Sequence, residues 1–455
     1  MKYYILIFIC FLTVNLVQCQ EEKAKLELPA EVIKAIEKRI TNGVTPSMAI
    51  ALIDSSGIYY FNFGKTEVGG KEVDENTIYE IGSISKVFTG ILLAQQIVDE
   101  NLKIDGEIND LLPDSIKVPV IGEIEITLGN LTDHTSGLPA MPTNFAAANP
   151  NNPYADYSVN QMYEFISTCQ PTREVGSEYE YSNLGQGLLG HLLAMNMNST
   201  YEELMVQTIA NPLEMNDTRI ELTEAMKEKL ALGHSGGSVV ENWDFPALAG
   251  AGAIRSSTSD MAKFVSANLG HVNTQLSDAM VLSHKARHDK AGGTSVAMAW
   301  HIDNGKNGDV VWHNGGTGGY RSFAGFVKET GKGVVILTNS SQSSDDIGFH
   351  ILDPESELAN LKFKSNAVEL PESTLSKYVG VYEVLPDFKI TIIKENAQLF
   401  ARATGQARYE IYPENDTLFF YTVVKAKISF QLKEGNVKSL TLLQGGQELV
   451  GQKIE

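Results

Sequence analysis

The sequence predicts a mixed α/β (α+β) domain followed by a small all-β domain of up-and-down barrel or sandwich type. Three observations lead there. The chain has 455 residues, too many for one ordinary core, so two domains are expected. The larger, N-terminal part mixes stretches of helical and of strand periodicity. From Tyr378 onward only short apolar runs separated by turn residues occur.

Composition narrows the class. Hydrophobic residues at 43% and charged residues at 20% describe a soluble globular protein. The formal net charge is −20 and no long Lys/Arg-rich run appears, which argues against nucleic acid as a partner. The acidity is read as solubility. Residues 1–19 read as a signal peptide: Lys2 is a short basic start, and Tyr3 to Val17 is nearly all apolar but too short to span a bilayer. A cut ahead of Gln20 fits the small residues Val17 and Cys19. Lipidation at Cys19 ranks second, because Gln18 suits a lipobox poorly. The expectation is an exported protein, periplasmic or secreted, with no transmembrane segment. Cys10 and Cys19 fall within or at the edge of that signal, which leaves Cys169 as the one cysteine sure to persist. No internal disulfide and no cysteine metal site is therefore expected.

Taken in order, Glu31 to Ile40 places Ile33, Ile36 and Ile40 at helical spacing and ends at Asn42-Gly43. Ser47 to Ile53 and Ile58 to Phe63 form a hairpin about Asp54-Ser55-Ser56-Gly57. A polar loop from Gly64 to Asn76 leads into Tyr79-Glu80-Ile81-Gly82-Ser83-Ile84-Ser85-Lys86, followed by an apolar helix to Val98. Residues 141 to 160, rich in Asn, Pro and Ala, read as a surface loop, and Gln161 to Ser167 as a helix. An apolar Gly-rich helix follows Tyr181-Ser182-Asn183. Gly-rich 249–254 precedes a helix capped by Ser257 or Thr258, with Asp260 in its first turn. His284 and His288, four apart, are read as surface histidines on one helical face. Ser322 to Val327 and Gly333 to Thr338 are strands joined by Glu329-Thr330-Gly331-Lys332. The last domain holds eight candidate strands: Tyr378–Val384, Phe388–Ile393, Leu399–Ala403, Tyr409–Pro413, Leu418–Val423, Lys427–Leu432, Val437–Leu443 and Glu448–Ile454. The expected limits are 20–365 for the first domain and 373–455 for the second, with the boundary in the polar stretch Lys364 to Ser373.

Chemistry concentrates at Ser83 and Lys86. Spacing of three puts a hydroxyl and an amine on one face at a helix N-terminus, where free N–H groups favour developing anions. A serine is a weak nucleophile until a base is held against it, and a lysine stripped of water can be that base. A Ser-x-x-Lys pair alone arises readily by chance, and Ser is a common N-cap. The whole octapeptide resembles the active-serine signature of class C β-lactamases and the penicillin-binding-protein superfamily. Further segments carry the same resemblance, in the family's order. Ile126 to Pro139, with His134-Thr135-Ser136-Gly137, is similar to its "ITLRHLLTHTSGLP" run. Tyr181-Ser182-Asn183 is similar to its Tyr-x-Asn element, and His313-Asn314-Gly315 to its Lys-Thr-Gly or His-x-Gly strand. Asn211 to Thr218 and Ala249 to Phe264 resemble two scaffold segments.

The resemblance implies a β-lactamase/transpeptidase-like fold: an antiparallel sheet flanked by helices, plus an all-helical subdomain, with a lipocalin-like β-barrel appended. It also implies roles. Ser83 would form an acyl-enzyme. Lys86 and Tyr181 would be the bases, the ammonium lowering the phenol's pKa. Asn183 would hold the substrate amide and orient Lys86. The N–H groups of Ser83 and Gly316 would form the oxyanion hole, and Gly315 would let substrate lie along the strand. His313 stands where β-lactamases carry the lysine that pairs with a substrate carboxylate. A histidine is only partly charged at neutral pH, and Arg321 is the nearest residue in sequence that could supply the missing charge. The expectation is therefore an exported serine hydrolase, with β-lactamase, D,D- or D-amino peptidase, or esterase activity. Its partner is a small-molecule or peptide substrate with a reactive carbonyl; no cofactor and no metal are expected, and the chain should be a monomer. The alternative is a non-catalytic penicillin-binding-like protein that uses the barrel for ligands.

Overall fold

Strand β1 (Ser47–Asp54) is buried almost end to end, and the main sheet grows outward from it. The computed structural model describes residues 26–118, 124–170, 173–290, 293–385, 388–404, 408–422, 426–444 and 447–454. The expected signal segment 1–19, with Cys19 and its cleavage site, and the strand end at Val423 lie outside the described residues. Asp54 closes the first hairpin: its Oδ1 accepts from the N–H of Ser56 at 2.7 Å and of Gly57 at 3.2 Å. This turns the chain into β2 (Gly57–Gly64).

Further along the chain come β3 (Ile78–Glu80), β4 (His234–Ser235), β5 (Ser238–Val239), β6 (Arg255–Ser257), β7 (His288–Lys290), β8 (Thr294–Val296), β9 (His301–Gly305), β10 (Gly308–Gly316), β11 (Arg321–Val327) and β12 (Lys332–Thr338). Six of these join β1 and β2 in one eight-stranded sheet, in the order β2-β1-β12-β11-β10-β9-β8-β7. Its pairs are antiparallel. Alternation sorts β1 between two cores. Met48, Ile50 and Leu52 pack with Val32 and Ile36 of the Ala30–Thr41 helix and Ile347 of the Asp345–Leu352 helix. Ala49, Ala51 and Ile53 face the other way, into the core that holds Phe88, Met261 and Phe264. The first layer is pinned by a buried ion pair, Arg39 Nη2 to Asp346 Oδ2 at 2.5 Å.

The Ser85–Val98 helix is apolar around nearly its whole circumference, so it has to be enclosed. It lies between the sheet side and a helical group that includes Asn183–Asn196 and Ala249–Gly252. Glycine makes the crossing close: a Cβ on Gly190 would meet Gly250 Cα at 2.9 Å, and one on Gly90 would meet the Met298 carbonyl oxygen at 2.4 Å. Two sequence expectations are corrected here. His284 is buried, and its Nε2 bonds to Asn268 Oδ1 at 2.9 Å, while His288 opens β7, so the two share no helical face. The 141–160 stretch is not simply surface. Asn and Pro mask an apolar set within it, and Tyr157 is buried while Phe145 and Tyr154 pack against the main core.

The remaining strands, β13 (Gly380–Leu385), β14 (Phe388–Glu395), β15 (Gln398–Ala403), β16 (Arg408–Pro413), β17 (Leu418–Tyr421), β18 (Ala426–Lys433), β19 (Asn436–Gln444) and β20 (Gln447–Lys453), close into a barrel in sequence order. Closure comes from Tyr382 opposite Lys453. Every second residue points inward, as Ile428 and Phe430 do on β18. The interior is filled by the domain's own side chains, among them Tyr382, Ile411, Phe419 and Phe430. Tyr378, expected in the first strand, instead ends a short helical turn and packs its ring, tilted, against Phe430 at 4.5 Å.

What fixes the sheet against the Ser83 turn is a backbone-to-backbone contact. A Cβ on Gly315 would stand 1.9 Å from the Ile81 carbonyl oxygen, and one on Gly82 2.6 Å from Gly316 N. Gly82 also has φ +51°. Gly315→Ala should therefore cost at least about 1–3 kcal/mol, the usual penalty for overpacking, since backbone cannot move aside as a side chain can. A urea midpoint equal to that of the parent protein would refute the contact.

Candidate active site

Ser83 sits in a single helical turn, Gly82–Ile84, that runs into the Ser85–Val98 helix. It is partly exposed, whereas Lys86 is fully buried. The spacing of three does what the sequence implied: Lys86 Nζ lies 3.0 Å from Ser83 Oγ. The same nitrogen donates to the Ala251 carbonyl at 2.7 Å. The described residues give Lys86 no carboxylate, and burial holds its amine well below the ordinary value. The Gly-rich stretch therefore does more than scaffold work. Ala251 aims the amine, Gly250 O accepts from Thr89 Oγ1 at 2.8 Å, and Ile254 N donates to Ser85 Oγ at 3.1 Å. Small residues in a row were the only hint of this in the sequence.

Tyr181 is strapped onto the His134 segment. Ser182 N donates to His134 Nδ1 at 3.1 Å, Ser182 Oγ to Pro139 O at 2.7 Å, and Asn183 N to Ala140 O at 3.0 Å. His134 itself has φ +63°. The Tyr181 ring lies under Lys86 Nζ, 4.7 Å from nitrogen to centroid. The expected lowering of the phenol does not occur. Packing around Tyr181 pushes it up, with the Ser83 hydroxyl pulling only partly the other way. The reason is that the desolvation acting on the phenol also removes the ammonium that was to lower it. The two groups are driven in opposite directions, toward a neutral amine and a protonated phenol.

Asn183 begins the Asn183–Asn196 helix, but it does not orient Lys86. Its Nδ2 reaches Tyr154 Oη at 3.5 Å and Met141 Sδ at 3.8 Å. Tyr154 stacks on Phe245 at 4.4 Å, and both stand beside Trp243. Trp243 Nε1 donates to Asn151 O at 2.9 Å, and Asp244 N to Asn152 Oδ1 at 2.9 Å, so two loops close together over this edge.

Strand alternation decides the third element. Gly315 faces Ile81, and Ser322, opposite it on β11, donates through Oγ to the Ile81 carbonyl at 2.7 Å. His313 shares that face, buried, 6.4 Å ring to ring from Tyr181. Gly316 brings its N–H beside the Ser83 turn. Arg321 does not supply the missing charge. It pairs with Gly316 on the opposite face, donates from Nη1 to the carbonyls of Thr317 and Tyr320 at 3.0 Å each, and feels Asp345 there. His301, which sequence reasoning passed over, stacks on His313 at 5.0 Å. Its one signal was an apolar run, Val296 to Trp300, ending one residue before it.

On the far side of the turn, Glu80 is buried. Its Oε1 accepts from Asn242 Nδ2 and Trp243 N at 2.9 Å each and from Arg255 Nη2 at 3.4 Å. Among the described residues no cluster of His, Cys, Asp or Glu is placed to hold a metal, and no helix is long and apolar enough to cross a membrane. The arrangement can do acyl transfer: a nucleophile, a neutral amine against it, a protonated phenol, and backbone N–H groups at the reacting end.

Comparison with known proteins gives the family and the fold. The family model "Beta-lactamase" matches residues 32–351, and a "Domain of unknown function (DUF3471)" matches 364–453. The chain is 25% identical to a "Beta-lactamase" of Escherichia coli (strain K12), over 71% of this chain and 92% of that protein. It is 25% identical to "Penicillin-binding protein 4*" of Bacillus subtilis (strain 168), over 86% and 91%. Among solved structures, "A class C beta-lactamase" superposes with TM-score 0.63 at 20% identity, covering 73% of this chain and 100% of that one. That likeness carries the fold.

A neutral resting amine has a kinetic signature. Lysine at its ordinary 10.5 would make Ser83 acylation climb about tenfold per pH unit up to that value. With the amine deprotonated well below it, the rate of Ser83 labelling by a fluorophosphonate should level off before pH 10.5 is reached, and the last pH unit below that value should bring no further climb. A climb of about tenfold persisting through that last unit would show a Lys86 that titrates as an ordinary lysine.

Proposed function

The chain belongs to the Beta-lactamase family, and from that premise we propose that it is a serine hydrolase acting through a Ser83 acyl-enzyme on an amide, lactam or ester carbonyl. The observation that carries this reading is the buried Lys86 amine, 3.0 Å from the Ser83 hydroxyl. A binding protein has no use for a nucleophile with a base desolvated against it.

The opposed shifts at Lys86 and Tyr181 support a division of labour. Ser83 Oγ adds to the carbonyl while Lys86 Nζ takes its proton. The N–H groups of Ser83 and Gly316 receive the developing oxyanion, each worth about 3 kcal/mol by analogy with such donors elsewhere. Collapse breaks the bond to the leaving group, and the protonated phenol of Tyr181 is suited to donate to it, recovering its proton from Lys86. Water then enters, and the same groups deacylate Ser83 in reverse order. Asn183, anchored by Tyr154 beside an aromatic wall, is suited to hold a substrate amide.

Labelling with a fluorescent penicillin and with a fluorophosphonate tests the reading. At least one should form an adduct in the parent protein and none in Ser83→Ala. Lys86→Ala should slow adduct formation by about 10²–10⁴, the range for loss of a positioned base. Equal labelling of the Ser83→Ala protein, or none of the parent with either probe, would end the proposal.

A further inference from the structure

Five rings form a closed circuit beside Ser83. Tyr181 touches His134 at 4.7 Å, His134 touches Tyr179 at 5.6 Å, and Tyr179 touches His301 at 6.5 Å. His301 stacks on His313 at 5.0 Å, and His313 returns to Tyr181 at 6.4 Å. Each histidine has one buried ring nitrogen without a hydrogen-bond partner among the described residues: His134 Nε2, His301 Nδ1 and His313 Nε2. Such groups are uncommon in folded proteins, because a buried polar atom left unpaired has given up water for nothing. Three in one circuit at a candidate active site point to a ligand that pairs with them.

Two of the three have a fixed sense. His313 Nδ1 lies 2.5 Å from the Asn314 carbonyl oxygen, which can only accept, so Nδ1 carries the proton and Nε2 presents a lone pair. His134 Nδ1 accepts from Ser182 N–H, so its Nε2 carries the proton. The circuit thus offers one acceptor and one donor. Burial above all holds the imidazoles neutral: His301 is lowered to about 4, and His134 and His313 well below their ordinary value. The charged groups around them are few. Lys86 is the desolvated amine, Asp303 acts on His301, and Lys290 lies outside the circuit, over the Tyr179 ring at 4.9 Å. Arg321 is on the far face of β10.

A carboxylate is a poor match to this set. It brings acceptors only, and the His313 lone pair repels them. A carboxamide or hydroxyl carries both complements, a donor for His313 Nε2 and an acceptor for His134 Nε2–H. We infer that the circuit of Tyr179, Tyr181, His134, His301 and His313 selects acyl substrates whose group next to the scissile bond is an uncharged hydrogen-bond donor, over those bearing a carboxylate there. This rests on the serine-hydrolase reading above and gives it a substrate class.

A matched pair of esters separates the two claims. N-acetyl-D-alanyl-D-lactate and N-acetyl-D-alanyl-D-lactamide share one scissile ester and differ only in carboxylate against carboxamide. The parent protein should hydrolyse the lactamide with kcat/KM at least about tenfold higher, and His313→Lys should lower or reverse that ratio. Because the ratio is read on the parent protein, the test stands even if His313→Lys fails to fold. A parent ratio at or below one overturns the inference while leaving the hydrolase intact. If Lys290→Gln then abolishes turnover of the acid alone, Lys290 is the carboxylate partner. Hydrolysis of neither ester, or hydrolysis that persists in Ser83→Ala, overturns this inference, while the hydrolase reading stands or falls on the probe labelling of Ser83 described above.

Discussion

The structure depends on keeping a lysine amine dry against a serine hydroxyl. A buried ammonium without a carboxylate is too costly to keep charged, so the amine gives up its proton. Lys86 can be so buried because its helix is enclosed on all sides, and that enclosure recruits the rest of the domain. The Asn183–Asn196 helix and the Ala249–Gly252 turn approach closely enough to shut out water only because Gly187, Gly190 and Gly250 lack side chains. The Ala251 carbonyl then satisfies a proton of the neutral amine and fixes its direction. One buried base thus accounts for an apolar helix, a glycine-lined crossing and a polar anchor that otherwise look unrelated.

The same economy governs the sheet. Nothing but glycine fits where β10 meets the Ser83 turn, since both sides are backbone. Contact between two backbones is rigid and places N–H groups without reliance on any rotamer. Glu80 braces the turn from the other side, with Asn242, Trp243 and Arg255 satisfying one of its oxygens. The nucleophile is therefore set by main chain and by a buried polar network, and little in its position is left to flexible side chains.

How much of this was legible in the sequence follows from range. Ser83 and Lys86 meet within one turn, so the pair and the octapeptide around it were legible locally. The barrel strands were legible because period-2 alternation and turn residues are local signals, as in Ile428, Phe430 and their polar neighbours. Tyr181, Asn183 and His313 were found as motifs, yet their surroundings were not. Asn183 turned out to be held by Tyr154, from a loop whose Asn and Pro disguised its buried aromatics. His284 looked exposed because Asn268, its partner, is sixteen residues away on another helix. The direction of the Tyr181 shift was misjudged for a related reason. A sequence shows that an ammonium is near in the motif, but not that both groups lose their water together.

The histidines carry the argument one step beyond the motifs. A lysine on β10 would be a fixed charge beside a second lysine that must stay neutral, and a cation there also disfavours protonation of Lys86. A neutral His313 removes that repulsion, so the tendency of Lys86 to take the serine proton rises. The difference bears on substrates, because a fixed cation on β10 would be placed to hold a carboxylate and a neutral imidazole is not. Arg321, the cation closest in sequence, cannot recover it: β-strand alternation puts Gly315 and Ser322 toward the nucleophile and therefore Gly316 and Arg321 away from it. Basicity at Lys86 and recognition of an anionic substrate thus compete for one position on β10. On the inference drawn above, this chain, with imidazoles at 313, 301 and 134 packed ring against ring, resolves the competition toward the base.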